Sequence, residues 1–95
     1  MATYVILSKF SSSALREPKD LKRLAQTVSD TIENECPAVT WKDSYATMGR
    51  FDVVDVVDSG DPQQVGKAAM IIRSYGHATT ETLPATPWQQ FLSSL

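Results

Sequence analysis

Apolar residues recur along this chain in two rhythms, one of period two and one of helical spacing. Thr3 to Lys9 is a strand by composition, with Tyr4, Val5, Ile6 and Leu7 in succession. Both alternating sets, Thr3/Val5/Leu7 and Tyr4/Ile6, are largely apolar, and a strand of that kind is usually covered on both sides. "SSSA" then reads as a polar loop, and Pro18 can open a helix because its missing N–H is not needed there. Leu21, Leu24, Ala25, Val28 and Ile32 follow with helical spacing, and Lys19, Lys22, Arg23, Gln26, Asp30 and Glu33 largely fill the opposite side. The helix is predicted to end near Cys36, where Pro37 stops it.

Val39 to Thr47 is predicted as the second strand. It places Val39, Trp41, Asp43, Tyr45 and Thr47 on one side and the more polar Thr40, Lys42, Ser44 and Ala46 on the other, which suits a sheet edge. "MGR" makes a tight connection, with Gly49 free to take positive φ, and Phe51 to Val57 forms the third strand. Asp61 is the expected N-cap of a second helix, with Pro62 as its first residue and Gln64 completing a capping box. Val65, Ala68, Ala69 and Ile72 form its apolar stripe, and Gly76 sits where a C′ glycine belongs. His77 to Leu83 is the last strand, broken by Pro84 and Pro87. The tail "PWQQFLSSL" carries Trp88, Phe91 and Leu92, which need something to pack on.

The order β-α-β-β-α-β predicts an α+β, ferredoxin-like sandwich: a four-stranded antiparallel sheet with two helices on one face, its first and third strands central. One domain over residues 1–95, with 87–95 as a short tail, is expected. Two helices cover only one face of such a sheet. The other would expose an apolar patch that soluble monomers rarely carry. Packing it against a second copy is the economical solution and predicts a homodimer, or a multiple of one, forming a dimeric α+β barrel with a cavity for a small organic molecule.

Charge and cysteine content narrow the classes. The net charge of −2 draws the chain neither to nucleic acid nor to an anionic membrane. Cys36 is the sole cysteine, which excludes an intramolecular disulfide, a CxxC redox pair and a cysteine-based zinc site within one chain. The N-terminus lacks a basic stretch ahead of its short apolar run, and no segment is long enough to span a bilayer, so a cytoplasmic protein is expected. No metal site or cofactor is expected either.

The segment "TMGRFDVVDVVDSGDP" interrupts its valines with Asp52, Asp55 and Asp58. Alternation points Asp52 and Asp58 one way and Asp55 the other, and the outer two lie roughly 20 Å apart on a regular strand, so the three cannot share one metal. Val54 and Val56 are assigned to the helix side. Asp55 then stands in the middle of the open face, with Phe51, Val53 and Val57, and needs a partner, water or a raised pKa there.

"MATYVIL", "TMGRFDVVDVVDSGDP" and "TTETL" together resemble the GYD-domain family, over Ala2 to about Thr86. Its Gly-x-Tyr-Asp motif reads here Gly49-Arg50-Phe51-Asp52, with Phe51 in place of the tyrosine. The chain departs from the family pattern also at "SSSA" and at Cys36-Pro37-Ala38. The resemblance implies the ferredoxin-like fold of the dimeric α+β-barrel superfamily and no particular chemistry. Loss of the tyrosine hydroxyl removes any role it has in relatives.

Trp41, Tyr45, Phe51 and Asp55 are the expected ligand-binding wall, and Asp55, Tyr45 and His77 the candidate catalytic groups. Each has a structural alternative: interface packing for Trp41 and Tyr45, a hydrogen bond for Asp55, a surface or cap position for His77. Asp52 is expected to bind backbone amides of its turn, Cys36 to be a small buried residue, and Glu81 to pair with Lys42 or an arginine. An RNA-recognition motif shares the element order, but the acidic third strand repels phosphate. The leading reading is a dimeric ligand-binding or assembly module. A cofactor-free monooxygenase- or isomerase-like enzyme, by fold analogy, and a ligand-sensing regulatory module are the alternatives.

Overall fold

The computed structural model describes residues 1–11 and 18–95. The elements are β1 (Ala2–Phe10), α1 (Pro18–Glu35), β2 (Val39–Ala46), β3 (Val53–Ser59), α2 (Pro62–Tyr75), β4 (Ala78–Ala85) and α3 (Trp88–Ser93). The sheet order is β2-β3-β1-β4 with every neighbouring pair antiparallel, as the ferredoxin-like pattern requires. Most of the "SSSA" loop lies outside the described residues.

Register decides what each sheet face carries. Tyr4 lies opposite Val57, Ile6 opposite Asp55 and Ser8 opposite Val53, so these six share one face. That face is under the helices: Ile6 and Val57 are fully buried in the core with Ile32, Val65, Ala68, Ile71 and Ile72. Val54 and Val56 lie opposite Leu7 and Val5 on the other face, where they are only half-buried. The expected assignment of β3 is therefore reversed, and Asp55 faces the helices. Alternation separates two sets of side chains without saying which is inside, and both valine pairs are equally apolar.

Most of the cover comes from α2, which buries Val65, Ala68, Ala69, Ile71 and Ile72. Helix α1 buries only Ile32 and leans on α2 more than on the strands. At the start of α2, Asp61 caps Gln63 N at 3.0 Å as expected. Gln64 does not close a capping box. Its Oε1 accepts from Ala38 N at 2.9 Å, tying α2 to the entry of β2, while Asp61 N donates to Ser59 Oγ at 3.0 Å.

Two glycine expectations are corrected. Gly49 takes no positive φ, since no glycine among the described residues does. The β2–β3 connection is longer than a tight turn and is held by Thr47 N donating to Asp52 O at 3.0 Å and Thr47 Oγ1 donating to Phe51 O. Gly76 caps α2 in the right-handed region, at φ −87°, and the positive φ of 50° falls on His77. Space accounts for Gly76: a Cβ there would collide with the Ile72 carbonyl oxygen and stand 3.6 Å from Val28 Cγ2.

The tail finds no cover among the described residues. In α3, Trp88 stacks on Phe91 with ring centroids 6.0 Å apart, and both stay exposed with Leu92. Among the described residues α3 packs substantially on no other element, so it does not roof the open sheet face. No described helix is long and apolar enough to cross a membrane.

Candidate functional site

A cavity of about 620 Å³ opens between α1 and the strands β1, β2 and β3. Its existence follows from the shallow seat of α1. Leu24, Ala25, Val28 and Ile32 of the helix line one wall without meeting the sheet closely. Phe10, Val39, Trp41 and Val53 line the other, with a polar group of Ser8, Ser44 and Asp55 among them.

That polar group is organised by a β-bulge. Pairing of β2 with β3 slips between Trp41 and Asp43, so Trp41 lies opposite Val57 and Ser44 opposite Asp55. With Lys42 as the extra residue, parity changes along β2, and Ser44 joins Trp41 on the helix side. Trp41 Nε1 donates to Ser44 Oγ at 2.9 Å and to Asp55 Oδ1 at 3.1 Å, and Ser44 Oγ donates to the same Oδ1. Asp55 Oδ2 accepts no hydrogen bond among the described residues. Burial pushes the Asp55 carboxyl above its ordinary range, and the hydrogen bonds from Ser44 and Trp41 only partly oppose this.

Ser8, buried on the same sheet face as Asp55, has no hydrogen-bond partner for its hydroxyl among the described residues. An unsatisfied buried hydroxyl costs about 1–3 kcal/mol, and Ser8 is one of the residues that line the cavity.

Of the expected wall, the structure brings together Trp41 and Asp55 and separates the rest. The bulge turns Tyr45 to the open face, opposite Val54, where it is 57% exposed. Phe51 sits in the β2–β3 connection, half-buried, with the Arg50 guanidinium 5.2 Å from its ring centroid, and does not line the cavity. His77 is exposed at the end of α2, away from Asp55. Asp52 binds a backbone amide, but of β1 and not of its own turn: Phe10 N donates to its Oδ2 at 2.8 Å. Asp58 accepts from Thr3 Oγ1 at 2.8 Å and pairs with Lys42 at 3.7 Å, so Lys42 is not the partner of Glu81. The three aspartates thus have three separate sets of partners. Cys36 is buried, and desolvation raises its thiol pKa more than Lys67 lowers it.

Ser8 and Ser44 are the site residues that sequence reasoning passed over. Ser8 continues the Tyr4/Ile6 set on β1, and a hydroxyl extending an apolar row was the available signal. Ser44 had none, because its position depends on the bulge. Chemically, the lining offers the carboxyls of Asp55 and Glu33, the hydroxyls of Ser8, Ser29 and Ser44, and the Trp41 indole N–H within an otherwise apolar pocket. Among the described residues no group of three or more metal-ligating side chains is assembled. Nor does any histidine stand beside Ser44 to form a nucleophile–base pair.

A Thermus thermophilus protein called a glutamine synthetase and cystathionine beta-lyase binding protein is 26% identical over 99 residues, covering 100% of this chain and 99% of that one. In fold, the chain is similar to the leucine response regulatory protein of Mycobacterium tuberculosis, with a TM-score of 0.61 at 11% identity. That match covers 90% of this chain but spans only about half, 51%, of the regulator. It is similar also to a protein of Arabidopsis thaliana, with a TM-score of 0.55, 9% identity, and 92% and 95% of the two chains covered. A family model for the GYD domain matches residues 4–95, and with nearly every residue inside that match, the chain belongs to the GYD-domain family.

Proposed function

We propose that this protein is a ligand-binding module. It holds a small, largely apolar molecule between α1 and the sheet and pairs with a second copy through its helix-free sheet face. The observation that carries the reading is the cavity itself. Its volume of about 620 Å³ is in the range of small-molecule sites, roughly 300–1,000 Å³, and its apolar wall holds a few convergent polar groups. The unsatisfied Ser8 hydroxyl and the open Oδ2 of Asp55 supply the hydrogen-bonding positions. Pairing is supported by Val5, Leu7, Val54 and Val56, an apolar row on the face without helices, with Leu83 and Tyr45 beside it.

The test uses 2-phenylethanol as a neutral probe and follows the Trp41 indole N–H by NMR. Addition should shift that resonance and leave the Trp88 indole in place. Ala25→Phe, which fills the cavity from α1, should abolish the shift while the fold persists. An unmoved Trp41 signal at millimolar probe, or an Ala25→Phe variant that responds like the parent, removes the reading.

The full-length match to a Thermus protein named for binding two enzymes favours a second reading, a module that binds other proteins. Under it the exposed α3 aromatics and the open face are the contact surfaces, and filling the cavity with Phe at position 25 leaves partner binding unchanged. The enzyme reading gains less, because among the described lining residues Asp55 and Ser44 have no third group that would complete a catalytic set.

A further inference from the structure

From the charge lining the cavity, we infer that its ligand is a protonated amine on an apolar body, with the ammonium placed against Asp55 Oδ2. This rests on the ligand-binding reading above and names the ligand class for the same site.

The charges on the wall decide which head group it accepts. Among the described lining residues the only charged ones are Asp55 and Glu33, and none of those residues is a lysine, arginine or histidine. Against these described residues a carboxylate or phosphate would meet two like charges and would lose its water without compensation. A neutral hydroxyl would satisfy one hydrogen bond and leave the buried carboxylate uncompensated. An ammonium matches both needs. It is a donor only, with three N–H bonds. One reaches Asp55 Oδ2, which accepts no hydrogen bond among the described residues, while Oδ1 stays engaged by Trp41 and Ser44. A second finds an acceptor in the Ser8 hydroxyl, which has no partner of its own. Glu33, exposed on α1, adds negative potential at the rim. The hydrocarbon body then lies against Val28, Ile32 and Val39. Asp55 resists ionisation because burial disfavours its charge, and a cation delivered beside it reverses that balance. Charge-assisted hydrogen bonds are roughly twice as strong as neutral ones.

The experiment compares three probes of one size and shape at pH 7.5: 2-phenylethylamine, 2-phenylethanol and phenylacetate. Dissociation constants are read from the Trp41 indole shift. The amine is expected to bind at least about tenfold tighter than the alcohol, the gap a single charge-assisted bond provides, and phenylacetate is expected to bind worst. Asp55→Asn should reduce the amine's advantage to within about threefold while leaving the alcohol's affinity in place. A second readout is the Asp55 carboxyl carbon, whose titration midpoint should fall when the amine is added. Equal affinity for amine and alcohol, tighter binding of phenylacetate, or an advantage that survives Asp55→Asn overturns the amine assignment and leaves the ligand-binding reading standing. Failure of all three probes to move Trp41 overturns both.

Discussion

Replacing Ser44 by alanine removes the hydroxyl that links Trp41 to Asp55, and the cost should depend on pH in a way no ordinary surface serine would show. In the folded protein Ser44 Oγ donates to Asp55 Oδ1 and accepts from Trp41 Nε1. Burial raises the Asp55 carboxyl above its ordinary value of 3.8. The folded state therefore holds this proton more tightly than the unfolded chain. Stability tied to Asp55 is greatest below the unfolded value and declines as pH rises through the folded one. Above that range Ser44 bonds to a charged acceptor, an interaction worth about 1.5–3 kcal/mol. Below it the acceptor is neutral and the bond is worth about 0.5–1.5 kcal/mol. Ser44 is itself exposed and water replaces part of the loss, so the low ends apply: about 1.5 kcal/mol where Asp55 is ionised and about 0.5 kcal/mol where it is protonated. At roughly 4–8 °C per kcal/mol for a domain of this size, the melting temperature should fall by about 6–12 °C on the alkaline side of the Asp55 titration. In an Asp55→Asn background the acceptor never ionises, and the cost should stay near 0.5 kcal/mol throughout. Urea unfolding followed by far-UV circular dichroism at pH 4, 6 and 8 measures all four proteins. A Ser44→Ala cost that does not change with pH, or that persists undiminished in the Asp55→Asn background, refutes the pairing and its electrostatics.

Gly76→Ala should destabilise by about 2–3 kcal/mol, as expected of overpacking, since its Cβ meets the Ile72 carbonyl oxygen; an unchanged denaturation midpoint contradicts the close approach. His77→Gly should be neutral to stabilising by about 1 kcal/mol, because φ of 50° favours glycine, whereas His77→Val should cost about 1–2 kcal/mol; the reverse order in thermal unfolding shows that the histidine side chain makes a contact worth more than its backbone strain. The Cys36 thiol, buried and shifted upward by desolvation, should react with 5,5′-dithiobis(2-nitrobenzoic acid) at least about a hundredfold slower than in urea-unfolded protein, and rapid labelling of the native state speaks against that burial.

Element order and type were legible because each element carries its own period and punctuation. Pro18 and Pro37 bracket α1, and Asp61-Pro62 and Gly76 bracket α2. The candidate site was legible only in part, for three physical reasons. Alternation on β3 gives two sets of residues but no label for the inner one, and an aspartate among valines biases the choice toward solvent. Here three side chains instead form a hydrogen-bonded group on the helix side of the sheet. The bulge at Lys42 has no marker in a run without glycine or proline, yet it moves Tyr45 out and Ser44 in. The gap beneath α1 depends on how high a helix rides over a sheet. The helical stripe of Leu24, Val28 and Ile32 is the same whether it packs tightly or spans a cavity.

The cavity and the open sheet face belong to opposite sides of the same strands, so ligand binding and pairing should be separable by one substitution. Val56 is suited to that purpose. It faces away from the helices, opposite Val5 on β1 and Asp43 on β2. A lysine at 56 therefore finds a carboxylate on the neighbouring strand within one chain, and cross-strand opposite charges are tolerated or mildly favourable. The fold should survive. In a face-to-face pair the same lysine enters an apolar contact twice, and imperfectly paired buried charges cost several kcal/mol each. At that penalty, sedimentation velocity at micromolar concentration should show a dimer for the parent and a monomer for Val56→Lys. Because Asp55, Ser44 and Ser8 line a cavity made by one chain alone, the monomer should still bind 2-phenylethylamine within about threefold of the parent affinity. Loss of binding on dissociation would place part of the ligand site on the second copy, and a parent that sediments as a monomer would leave the apolar row of Val5, Leu7, Val54 and Val56 to a different partner.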